Sequence, residues 1–148
     1  MPNTAIADRN VEILMAEDNQ TDVHLMKIVL EHSRLPVRLN AVHNGEQAIA
    51  YLHHEGPFSG SPDPDLILLD LTLPKMSGWD VLTEIKRDPA LNHIPVLIVT
   101  GSRNEKDVRQ AYSMNVESYI VKPMNMLEFP ILIKTIERII GNTPPRFG

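Results

Sequence analysis

Five residues, each at the end of an apolar run, could do chemistry together. Glu17 and Asp18 follow residues 11–16, Asp70 follows 66–69, Thr100 follows 96–99, and Lys122 follows 119–121. Three carboxylates within a few ångströms of one another repel, and without compensation at least one takes up a proton through a raised pKa. A divalent cation removes the conflict. Hard oxygen ligands with open positions suit Mg²⁺, which keeps several waters and is held by one or two carboxylates together with a phosphate oxygen. Lys122 brings a second positive charge and Thr100 a hydroxyl. Such a site gathers anionic oxygens around an acidic nucleophile, which is what phosphoryl transfer onto a carboxylate requires.

Whether the five meet depends on the elements that carry them. The runs 11–16, 37–42, 66–69, 96–99 and 119–121 read as strands, and those at 66 and 96 are continuously apolar, the pattern of parallel strands covered on both faces. Between them the apolar period lengthens to that of helices: 21–32 with Val23, Met26 and Leu30; 45–53 with Ala48, Ile49 and Leu52; a third with Trp79, Leu82 and Ile85, ending before Pro89; 105–114 with Val108, Ala111 and Tyr112; and about 126–140 with Phe129, Leu132, Ile133, Ile136 and Ile140. Asn125 and Glu128 have capping-box spacing, but Pro130 lacks an amide, so the last helix is expected to start late. Five alternating strands and helices imply right-handed βα units and an α/β, flavodoxin-like, doubly wound parallel sheet of order 2-1-3-4-5. In that order strands 1, 3, 4 and 5 are neighbours, and their carboxyl ends carry all five residues. The turn-rich connection 54–64 lies at the other end.

The 148 residues hold 14 Lys plus Arg against 19 Asp plus Glu, a net charge of −5, with 43% hydrophobic residues and no Cys. This fits one domain over 11–141, with flexible tails at 1–10 and 142–148. The acidic balance argues against a nucleic-acid partner. No apolar run is long enough for a membrane span or a signal peptide, and the absence of Cys excludes disulfides and thiolate zinc sites, so a cytoplasmic protein is expected.

The sequence resembles the receiver domains of two-component response regulators. The matching residues are Glu17-Asp18, Asp70 at the end of LILLD, Pro74 and Gly78 in LPKMSG, Thr100, Tyr119 and Lys122-Pro123, spanning roughly residues 11–140. Within that family the EDNQTDVHLM opening, the long HHEGPFSGSPDPDLILLDLTLPK segment and the lack of an output domain are similar to stand-alone regulators of bacterial and cyanobacterial phytochrome histidine kinases. The resemblance implies that Asp70 is the phosphoacceptor, receiving the group from a partner histidine kinase. It implies that Asp18 and Asp70 bind Mg²⁺ directly, Glu17 mostly through water, and the Thr72 backbone carbonyl completes the set. Thr100 and Lys122 would bind phosphoryl oxygens, Pro123 would follow a cis bond, and Tyr119 would move inward as Thr100 shifts. The changed surface is then helix 4, strand 5 and helix 5, where the family habit is to dimerise. Glu17 stands where Asp is commoner and Gly101 where Ala is usual, which loosens the loop after Thr100. Thr72 and Ser102 carry no amide or carboxylate to orient an attacking water, so a long-lived aspartyl phosphate is expected.

Other readings weigh less. Asp70 alone could cap a turn, Lys122 alone could be a solvated charge, and Tyr119 could be strand packing; the combination points to a site. A haloacid-dehalogenase-type phosphatase needs a second acid two residues after its nucleophile, where this chain has Thr72, and a cap region. Nucleotide and flavin folds lack their glycine-rich motifs, and Glu17-Asp18 would repel a phosphate at that turn. The six His show no metal-ligand spacing, Trp79 reads as a packing anchor, and Met15, Met26, Met124 and Met126 read as core filler. Ile131 and Ile139, off the core stripe of the last helix, are expected to be partly uncovered in a monomer.

Overall fold

The computed structural model describes residues 10–123 and 125–141; the expected tails, apart from Asn10, and Met124 lie outside the described residues. Five strands, β1 (Val11–Ala16), β2 (Val37–Val42), β3 (Leu66–Leu69), β4 (Val96–Thr100) and β5 (Ser118–Val121), alternate with five α-helices. These are α1 (Gln20–Glu31), α2 (Gly45–Leu52), α3 (Gly78–Arg87), α4 (Glu105–Ser113) and α5 (Phe129–Gly141), with a short 3-10 turn at Gly56–Phe58. Every strand pairing is parallel and the order is β2-β1-β3-β4-β5, as the alternation of elements predicts. Among the described residues no helix is long and apolar enough to cross a membrane.

Strand alternation splits the core into two layers. Leu14, Ala16, Ile67, Leu69, Val96 and Ile98 pack against α2, α3 and α4. Ile13, Met15, Leu66, Leu68, Leu97 and Val99 face α1 and α5 through Val23, Met26, Leu132 and Ile136. β3 and β4 are buried along their whole length, which explains their unbroken apolar runs.

All of the first four helices begin with a side-chain cap at the sheet's carboxyl edge. Asn19, Asn44, Ser77 and Asn104 accept hydrogen bonds from the amides of Asp22, Gln47, Asp80 and Lys106, satisfying donors that a helix start otherwise leaves open. α5 begins at Phe129, the first residue of its apolar stripe and three residues after 126, the late start that Pro130 predicts. Ahead of it, the Asn125 amide donates to Glu128 Oε1 at 3.2 Å and Asn125 Oδ1 accepts from the Leu127 amide at 2.9 Å, so the capping pair forms a turn outside the helix.

Two expectations about apolar residues are corrected. Ile139 is buried against the α1 and α5 layer, whereas Ile131 is 66% exposed. Met15 and Met26 are core residues, but Met126 is 80% exposed, because it precedes the helix instead of lying on its inner stripe. Trp79 packs partly buried against the α2–α4 layer, as an anchor should.

Two glycines let the loop after β3 lie close to neighbouring elements. A Cβ on Gly78 would sit 2.1 Å from the Asp70 carbonyl oxygen, and one on Gly45 would sit 1.9 Å from the Met76 carbonyl oxygen. Both obstacles are backbone, so neither can swing aside. Around Gly101 a Cβ would meet nothing within 4 Å. Gly78→Ala is therefore expected to cost at least about 2 kcal/mol in urea unfolding through overpacking, while Gly101→Ala is neutral or stabilising by up to about 1 kcal/mol.

Candidate functional site

Parallel register brings the predicted residues together. Ala16 pairs with Leu69, Leu69 with Ile98, and Thr100 with Val121, so Glu17, Asp70, Thr100 and Lys122 emerge at the carboxyl ends of four adjacent strands. Backbone bonds continue the ladder past the strands: the Asp70 amide donates to the Ala16 carbonyl at 3.1 Å and the Lys122 amide to the Thr100 carbonyl at 2.8 Å. Glu17, Asp70 and Thr100 are buried, and Asp18 beside them is exposed.

Asp70 is the hub. Its Oδ1 accepts from the Thr72 amide at 3.0 Å, the Thr72 hydroxyl at 3.0 Å and the Thr100 hydroxyl at 2.8 Å. Its Oδ2 accepts from Lys122 Nζ at 3.0 Å. The same ammonium donates to Glu17 Oε1 and to Asp22 Oδ2, each at 2.8 Å. The Lys122–Pro123 peptide bond is cis, as expected.

The charges settle unequally. Burial pushes the Asp70 carboxyl upward, but the Thr72 amide, the Thr100 hydroxyl and Lys122 outweigh it and hold the group below its ordinary value. Glu17 goes the other way, pushed up to about 7 by burial and by the nearby Asp70 charge, against the opposing bond from Lys122. Lys122 is raised, since its bonds to Asp22, Glu17 and Asp70 overcome the cost of its own burial. One of the crowded carboxylates therefore takes up a proton near neutral pH, as the charge argument from sequence anticipates, and that one is Glu17.

Glu17, Asp18 and Asp70 each offer a carboxylate oxygen, and these oxygens all lie within 4.8 Å of one another. This donor set is hard, anionic and open on the Asp18 side, so it fits a small divalent cation. The Thr72 hydroxyl is engaged with Asp70 and its amide fixes the same oxygen, leaving the carbonyl as the group of Thr72 free of a side-chain role at Asp70. Tyr119 reaches the loop beyond Thr100. Its hydroxyl donates to the Ser102 carbonyl at 3.0 Å, while the Ser102 hydroxyl donates to Asp107 on α4, so Tyr119 is tied to the loop that follows Thr100. Gly101 is exposed in that loop.

Two participants escape sequence reasoning: Asp22 and the hydroxyl of Thr72. Asp22 lies one helical turn beyond Asp18, in the first turn of α1, and that spacing from the acidic pair was its available signal. Thr72 sits two residues after Asp70, where a hydroxyl can fold back onto the preceding carboxylate.

Because Glu17 is raised in the folded protein, it holds a proton between about pH 4.5 and 7 that the unfolded chain has released. Its stabilising contribution is full below that window and is lost as pH rises through it. Asp70, shifted downward, acts at lower pH and with the opposite sign. Glu17→Gln should thus gain stability relative to the unaltered protein, by roughly 1–3 kcal/mol, on going from about pH 5 to about pH 8 in chelator-treated denaturant melts. An unchanged difference across that range would refute the shift.

A sequence profile for the response regulator receiver domain matches residues 13–134. Response regulator Rcp1 of Synechocystis sp. is 41% identical over 125 residues, covering 84% of this chain and 85% of that protein. Among solved structures, the phosphorylated cyanobacterial phytochrome response regulator RcpA superposes with a TM-score of 0.80 at 40% identity, covering 91% of this chain and 96% of that one. The Mn²⁺-bound form of Rcp1 gives 0.77 at 40% identity, covering 85% and 91%.

Proposed function

This chain belongs to the response regulator receiver-domain family, and from that footing we propose that it is a cytoplasmic protein that accepts a phosphoryl group on Asp70 from a partner histidine kinase, the kinase being a phytochrome. The observation that carries the reading is the placing of Asp70: a buried carboxylate whose two oxygens meet one hydroxyl-rich side and one ammonium, beside two further acids. The phytochrome partner is supported by the similarity to RcpA, together with the EDNQTDVHLM opening and the long segment before Asp70.

In the transfer, an oxygen of Asp70 forms a bond to phosphorus as the N–P bond of the phosphohistidine breaks. The electron pair of that bond stays on the imidazole nitrogen, which takes up a proton from water. Thr100 Oγ1 and Lys122 Nζ are already at hydrogen-bonding distance from the Asp70 oxygens, so each can reach an oxygen of the incoming group. Asp18 and Asp70 would hold Mg²⁺ directly, with Glu17 acting mostly through water and the Thr72 carbonyl completing the set. The ion supplies positive charge for the phosphoryl oxygens. Donation by Thr100 to the phosphoryl group changes the strand end and the loop to which Tyr119 is bonded, and the change spreads to the face made by α4, β5 and α5. Neither the Thr72 nor the Ser102 side chain carries an amide or carboxylate to orient water, which favours a long-lived phosphoryl group.

Incubation with acetyl phosphate and Mg²⁺, resolved on a phosphate-affinity gel, should label the protein and leave Asp70→Asn unlabelled; omission of Mg²⁺ should abolish labelling, and the label should persist for minutes after the donor is removed. Labelling of Asp70→Asn would defeat the acceptor assignment. The exposed Ile131 on α5 supports a homodimer through the α4, β5 and α5 face. Analytical ultracentrifugation should show a dimer, and Ile131→Lys should shift it to monomer; a monomer at all concentrations, with and without acetyl phosphate, would exclude this face as an interface.

A further inference from the structure

An ammonium has three N–H donors and no acceptor. In Lys122 each of the three is committed to a different carboxylate, those of Glu17, Asp70 and Asp22. The first two belong to the group of acids whose oxygens converge closely enough for a cation, and Asp22 does not. Asp22 comes from another element, α1, and its backbone is fixed there by the bond from its amide to the Asn19 cap and by the buried neighbour Val23. A cation held by Glu17 and Asp70, as proposed above, would compete with Lys122 for two of the three anions that hold it. The third is untouched.

We infer that Asp22 is a positioning residue for Lys122: it anchors the ammonium from the α1 side, leaving two N–H donors to be presented to an anionic group on Asp70. A lysine stem has four rotatable carbons and large rotamer freedom, so an anchor removes most of the search before the group arrives. The side chain of Lys122 is 17% exposed, which shows how far the clasp encloses it. The geometric clasp is independent of phosphorylation, while its kinetic consequence rests on the acceptor reading of Asp70.

The test therefore has two arms. In the first, ¹⁵N-edited NMR follows the side-chain ammonium of Lys122, assigned by its absence in Lys122→Met. The unaltered protein should give a slowly exchanging ammonium signal, Asp22→Ala should lose or markedly shift it, and Asp22→Glu should restore it. A role confined to stabilising α1 would leave that signal in place. In the second arm, acetyl phosphate labelling at saturating Mg²⁺ should slow by roughly three- to tenfold in Asp22→Ala, with at least half the rate recovered in Asp22→Glu. A Lys122 signal unchanged in Asp22→Ala overturns the inference, and so does a normal signal change with an unchanged labelling rate. If the unaltered protein takes no label while Asp22→Ala still displaces the ammonium, the acceptor reading fails and the anchoring of Lys122 stands.

Discussion

A single ammonium shared by three carboxylates organises the carboxyl edge of this sheet. Lys122 follows β5, Glu17 follows β1, Asp70 follows β3 and Asp22 lies in α1, so four elements from three distant parts of the sequence are tied at one point. Attraction alone would not make such a knot favourable, because partly buried charges lose hydration. The balance is carried by donors placed around Asp70: the Thr72 amide, the Thr72 hydroxyl and the Thr100 hydroxyl hold one oxygen while Lys122 holds the other. Glu17 is left as the group that cannot be fully compensated, and its raised pKa registers the deficit. The site is complete in geometry and short of positive charge.

That geometry depends on close approach elsewhere. Gly78 lets the start of α3 press against the backbone of Asp70, and Gly45 lets the start of α2 press against Met76 in the same loop. The loop from Asp70 to Gly78 is thereby wedged between two helix starts, each with its own side-chain cap. The Asp70 carboxylate is presented by a backbone that has little room to drift, which suits a group whose partners must be met within a few tenths of an ångström.

Much of this was legible in the sequence because it follows from period and register. Unbroken apolar runs at β3 and β4 mark strands buried on both faces, and the alternation of strand and helix fixes which ends are neighbours. Glu17, Asp70, Thr100 and Lys122 could be placed together on that ground alone. What was not legible involves side-chain reach or helix phase. Asp22 reads as an ordinary acid in a first turn until the direction of the Lys122 side chain is known. Tyr119 is bonded to the loop after Thr100, at Ser102, a contact that depends on where a hydroxyl ends. Met126 was misassigned because α5 starts only at Phe129, and Ile139 because the buried stripe is broad enough to take in the position three residues after Ile136 and seven after Leu132.

The two-layered core has a consequence for how a signal crosses the molecule. By strand alternation Glu17, Asp70 and Lys122 continue the rows that face α1 and α5, while Thr100 continues the row that faces α2, α3 and α4. Along the strands these rows are insulated from each other by the sheet itself. At the carboxyl edge the insulation ends, and the bond from Thr100 to Asp70 is a stitch between the two layers. A group added to Asp70 and held by both Thr100 and Lys122 would widen that stitch, so a chemical event at one atom is received by both halves of the protein at once.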